Sequence, residues 1–113
     1  MPFTPELHVQ MLNRQDKNTD PNCIGYFTNE HLKMSGAYWC IGSLKLLGKL
    51  TDERRAEMIE FIKACQHICG GFGGNVGHDP HITSSLYALL VLAMYDAVNE
   101  IDTDKLVSYV LSL

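Results

Sequence analysis

At 113 residues the chain can build one small domain, and 46% hydrophobic with 19% charged residues is a globular rather than a disordered balance. A formal net charge of −4, with nine Lys and Arg scattered along the chain, offers no basic patch to a nucleic acid. No signal peptide and no twenty-residue apolar run is present. Cys23, Cys40, Cys65 and Cys69 stand in helical or apolar contexts and read as free thiols of a soluble protein in a reducing, cytoplasmic compartment.

Thr4-Pro5-Glu6 opens a first helix near 4–14, with Thr4 as cap and Pro5 in the first turn. Leu7, Met11 and Leu12 give it a short apolar stripe. Asp16 to Asn22 is loop chemistry. A second helix covers 30–47, through His31, Leu32, Met34, Ser35, Tyr38, Trp39, Ile41, Leu44 and Leu47. Its apolar residues nearly encircle it, and a helix of that kind is expected to be buried on most faces. Thr51 caps a third helix over 51–67, with Asp52 and Glu53 in the first turn, where the helix dipole favours anions. This helix is amphipathic: Met58, Phe61, Ile62 and Cys65 share one side, with charged residues elsewhere.

Next comes a corner: Cys65-Gln-His-Ile-Cys-Gly-Gly-Phe-Gly-Gly-Asn-Val-Gly-His-Asp-Pro-His81. Glycine orders at a high entropic cost, so helix cannot continue through it. Asp79-Pro80 restarts a helix over 80–98, aspartate as cap and proline in the first position. Ile82, Leu86, Leu89, Leu90 and Ala93 recur there at helical spacing. Asp102 caps a fifth helix over 102–112.

The pattern predicts an all-α chain of about five helices, the second and fourth buried, the third and fifth amphipathic. It also repeats. Met58-Ile-Glu-Phe-Ile-Lys-Ala-Cys65 aligns with Leu106-Val-Ser-Tyr-Val-Leu-Ser-Leu113 at an offset of forty-eight residues, a period of paired-helix arrays. Gln66 follows the first copy, whereas Leu113 ends the second. The expectation is an N-terminal part, residues 1–113, of a longer array interrupted in its second unit.

Several of these runs together resemble the beta subunits of protein prenyltransferases, and within them the type II subunits, those of Rab geranylgeranyltransferases. They are His31-Leu-Lys-Met-Ser-Gly-Ala-Tyr-Trp39, Phe61-Ile-Lys-Ala-Cys-Gln-His67, Cys69-Gly-Gly71 and Gly77-His-Asp-Pro-His81. Leu92 to Asp96 and Ile101-Asp102 continue the likeness, which covers about residues 5–113. It implies an α/α barrel (toroid): inner helices form an apolar funnel and outer helices wrap it. It implies transfer of geranylgeranyl from geranylgeranyl diphosphate to C-terminal cysteines of Rab GTPases, which an escort protein presents. It implies an alpha-subunit partner, and a zinc ion that holds the cysteine as thiolate. The family's zinc ligands and diphosphate-binding basic residues belong to later repeats. This segment alone is therefore expected to be inactive and to bind no catalytic zinc. By the same resemblance Ser35, Trp39 and Leu86 face the isoprenoid. Ser35 and Leu86 stand where farnesyl-specific relatives carry bulky aromatics, which would deepen the funnel.

Other readings compete. Cys65, His67, Cys69, His78, Asp79 and His81 include metal-ligand spacings, yet Cys65 falls on an apolar stripe and Asp79 on a helix cap. The glycine run precedes a helix as phosphate loops do, but without a preceding strand or a Gly-Lys-Ser/Thr ending. Trp39 and Tyr38 could be core, and Ser35 a residue for close helix packing. A helical-repeat binding scaffold without chemistry shares the same repeat pattern.

Overall fold

A computed structural model describes residues 3–16 and 29–113, with the backbone alone given for 12–16. The expected loop of Asp16 to Asn22, the side chain of Leu12 and Cys23 lie outside what is described, apart from the backbone of Leu12 and Asp16. Among the described residues there are five α-helices: α1 (Pro5–Asp16), α2 (Lys33–Leu46), α3 (Arg55–Cys65), α4 (Ile82–Met94) and α5 (Thr103–Leu111). Short 3-10 turns precede or link them at Glu30–Leu32, Asp52–Arg54 and Val98–Glu100. Among the described residues there is no β-sheet, only isolated bridges pairing Gln66 with Phe72 and Gly73 with Pro80.

Helix α2 packs along α4, the most extensive helix pairing among the described residues. Met34, Ala37, Ile41 and Leu44 from α2 meet Ala88, Val91 and Leu92 from α4 in one core. Outer helices close that core with Met58, Ile59, Ile62 and Cys65 of α3 and Leu106 and Tyr109 of α5. Neither inner helix is buried on most faces. Leu46 is 91% exposed, and Trp39, Ile82 and Leu86 stand in the open. An apolar circumference reports which residues a helix can bury, and only a neighbour on each side realises it.

The forty-eight-residue period is written into the backbone. Gly48 takes φ 68° and Asp96 takes φ 54°, forty-eight positions apart. The Lys49 amide donates to Leu44 O at 2.9 Å, and the Ala97 amide to Leu92 O at 2.8 Å, again one period apart. Both inner helices thus end in the same left-handed turn, which returns the chain toward an outer helix.

The corner between α3 and α4 ties four helices. Phe72 is fully buried at its centre. The Gly73 amide donates to Cys65 O at 3.1 Å, and the Met34 amide to Gly74 O at 2.8 Å. Asn75 Nδ2 donates to Glu30 O at 3.0 Å, so the corner holds the entrance of α2. Gln66 Nε2 donates to Gly70 O and to Asp102 O, fastening the corner to the start of α5. A side chain at Gly74 would strike the backbone of His31, and one at Gly71 the ring of Tyr109.

Two caps differ from the sequence expectation. Helix α4 is capped by His81, whose Nδ1 accepts the Thr83 amide at 3.1 Å. Asp79-Pro80 does not start it, because Pro80 is held in the bridge to Gly73 and the His81 amide donates to Phe72 O. The Thr51 side chain makes no capping bond, and Arg54 occupies the cap position of α3. Asp102 does cap α5, its Oδ1 accepting the Lys105 amide at 3.0 Å.

Candidate funnel wall and cleft

Ser35 lies in the first turn of α2, and Trp39 follows it by four residues, so both share one helix face. Ser35 is half-buried, while Trp39 is 56% exposed and Leu86 50% exposed. Trp39 is not core. Its ring meets Tyr87 edge-on, with centroids 6.4 Å apart. Tyr87, the residue after Leu86, stacks in turn on Tyr38 at 4.7 Å with the planes 12° apart. Aromatic stacking of this kind favours a defined mutual arrangement of the rings. The two inner helices thereby present a surface on which Trp39 of α2 sits against Tyr87 of α4.

At the foot of that surface an open cleft of about 660 Å³ is lined by Ser35 together with residues of the corner and of the start of α4. His78 Nε2 stands 3.9 Å from Glu30 Oε1 across its rim. The sequence pointed to Ser35, Trp39 and Leu86; it did not point to Tyr38 and Tyr87 as their support, nor to the cleft. The density of polar residues from His78 to Ser84 is the sequence signal for the cleft, and the preceding glycines and Pro80, which mark a chain reversal, obscure it.

The Cys and His residues of the corner do not fit a zinc ion. Cys65 is buried in the core, and burial pushes its thiol up to about 11, with Lys33 pulling the other way. Cys69 is exposed, and His67 Nδ1 accepts the Cys69 amide at 3.2 Å. His81 Nδ1 is committed to its cap. Among the described residues no three His, Cys, Asp or Glu side chains converge as a metal site. The phosphate-loop reading also lacks support, since the corner amides of His67, Gly70 and Gly73 are bonded internally. No described helix is long and apolar enough to cross a membrane.

The sequence from 3 to 113 matches the profile of the prenyltransferase alpha-alpha toroid domain. A probable geranylgeranyl transferase type-2 subunit beta of Dictyostelium discoideum is 43% identical over 90 residues, which are 80% of this chain and 26% of that protein. A geranylgeranyl transferase type-2 subunit beta 1 of Arabidopsis thaliana is 50% identical over 64 residues, 57% of this chain and 20% of that protein. The geranylgeranyl transferase type-2 subunit beta of Schizosaccharomyces pombe is 36% identical over 92 residues, 81% and 29% of the two chains. The chain thus spans between a fifth and a third of the length of these relatives.

Proposed function

The chain belongs to the prenyltransferase alpha-alpha toroid family, and we propose that it is part of the beta subunit of a Rab geranylgeranyltransferase. Residues 1–113 would form the N-terminal portion of the toroid and part of its lipid funnel. The observation that supports this reading is the exposure of Trp39 and Leu86 on two helices packed against each other, with the Trp39 ring set against Tyr87 and Ser35 half-buried one turn before it.

In this reading Trp39 and Leu86 give the isoprenoid an apolar wall, and Tyr87 holds the indole in place. Ser35 and Leu86 leave depth that larger side chains would fill. Each additional buried methylene contributes about 0.8 kcal/mol, so a deeper funnel favours the longer lipid. Zinc, in the complete enzyme, would stabilise the acceptor cysteine as a thiolate. The described residues offer no fitting ligand set, and no step through the metal is assigned to this segment.

The partners follow the same proposal: an alpha subunit, geranylgeranyl diphosphate, and a Rab GTPase presented by an escort protein, in the cytoplasm. The test is lipid transfer by a beta subunit of the relatives' length that carries this segment, assembled with its alpha subunit. Transfer of geranylgeranyl to the escorted GTPase in preference to farnesyl is the expected result. Binding of the GTPase without transfer would instead favour a scaffold.

A further inference from the structure

Ser35, one helical turn before Trp39, lines the cleft at the foot of α2, and most of the side chains around that cleft are polar. Besides Ser35 it is lined by His31, His78, Asp79, His81, Thr83 and Ser84. Leu32 is its one aliphatic side chain, and Gly74 and Gly77 complete it. Bulk does not close it, for its volume of about 660 Å³ is within the range of small-molecule sites. Several of its polar groups keep sites that water can satisfy. Asp79 is exposed, and His78 reaches Glu30 only at 3.9 Å, longer than a hydrogen bond. A hydrocarbon pushed among them would strip that water and return no hydrogen bond.

We propose that this polar cleft sets the upper limit of lipid length, His78 and Asp79 stopping the isoprenoid where Ser35 ends the apolar wall. The inference rests on the reading of Ser35 and Trp39 as lipid-facing. A geranylgeranyl chain lies on the apolar surface, and a further isoprene unit would have to enter the cleft. Shorter lipids are discriminated by the apolar area they leave empty. Longer ones are discriminated by the polar groups they would desolvate. The limit is chemical rather than steric, so it responds to polarity at constant size.

The experiment compares geranylgeranyl diphosphate with geranylfarnesyl diphosphate, one isoprene unit longer, in the assembled heterodimer. His78→Leu and Asp79→Leu, made separately so that either folded protein suffices, replace polar groups with apolar ones of similar bulk. Each is expected to raise the kcat/KM of the longer lipid relative to geranylgeranyl by about tenfold or more. His78→Gln and Asp79→Asn keep the polarity and are expected to leave the ratio at the parent value. An unchanged ratio in the leucine variants overturns the proposal, and so does an equal rise in the amide variants, which would make the limit one of space. Failure of the parent enzyme to use geranylgeranyl diphosphate would overturn the underlying reading itself, a result recognisable before any variant is compared.

Discussion

Gly70 shows how much of the fold can depend on one missing side chain. Its φ is 103°, a region that L side chains avoid, and a Cβ there would run into the carbonyl of Lys105. Gly36, inside α2, has nothing within 4 Å of the place its Cβ would take. Gly70→Ala is therefore expected to cost more than about 2 kcal/mol of stability. Gly36→Ala should add up to about 1 kcal/mol. Denaturant midpoints of the two variants check both signs, and equal effects would show that the corner does not bear on α5 as described. The sequence identified the glycine run as a break in helix. It could not tell that Gly70 and Gly71 are pressed against α5 while Gly77 meets nothing, because that depends on a neighbour thirty-five residues away in the chain. Cys65 supplies the pH dependence. Burial raises its thiol from the ordinary 9.0 to about 11, so the folded state holds the proton more tightly than the unfolded one. That contribution is complete below about pH 9 and is lost as pH rises toward 11. Cys40 and Tyr95 are shifted upward by burial too and add to the same decline. Denaturation midpoints should fall across that interval, less steeply in Cys65→Val; an identical slope in the variant would contradict the assignment to Cys65.

Among the elements, the helix ends separate what was legible from what was not. Asp102 was legible as a cap because its carboxylate needs only an amide three residues ahead. Asp79-Pro80 carried the same local signal and failed, because the bridge between Gly73 and Pro80 overrides it and delays α4 to His81. The C-terminal turns of α2 and α4 carry the opposite lesson. They share one geometry, yet glycine fills the left-handed position in the first copy and aspartate in the second, so the sequence hides the match. Asp96→Gly should relieve the strain at φ 54° and stabilise the chain by about 0.5–1 kcal/mol, the greater freedom of glycine in the unfolded state offsetting part of the gain. A lower unfolding midpoint in that variant would mean that the Asp96 side chain contributes more than its backbone strain removes.

At the scale of the whole molecule, the alternation of nearly all-apolar with amphipathic helices was legible in the periodicity and fits the pairing of α2 with α4, but the burial it predicted on most faces of those two helices is not realised. The candidate site was legible only through resemblance. Composition and spacing make Trp39 and Leu86 ordinary core residues, and nothing local says that they will be left facing solvent at 56% and 50%. Under the proposed function the exposed Trp39, set against Tyr87 one turn from a half-buried serine, and the exposed Leu86 are the wall that meets the lipid. That wall is proposed to set lipid length, and Ser35→Trp is the variant that separates this role from simple helix packing. The indole would fill the space that the last isoprene unit needs, and overpacking of this kind costs about 1–3 kcal/mol, roughly tenfold or more in relative affinity. The quantity to measure is the ratio of kcat/KM for geranylgeranyl diphosphate to that for farnesyl diphosphate, in the beta subunit paired with its alpha partner. The expected result is a fall of about tenfold or more, with farnesyl diphosphate spared or improved; an unchanged ratio would leave Ser35 a helix-packing residue and the lipid-length role without support.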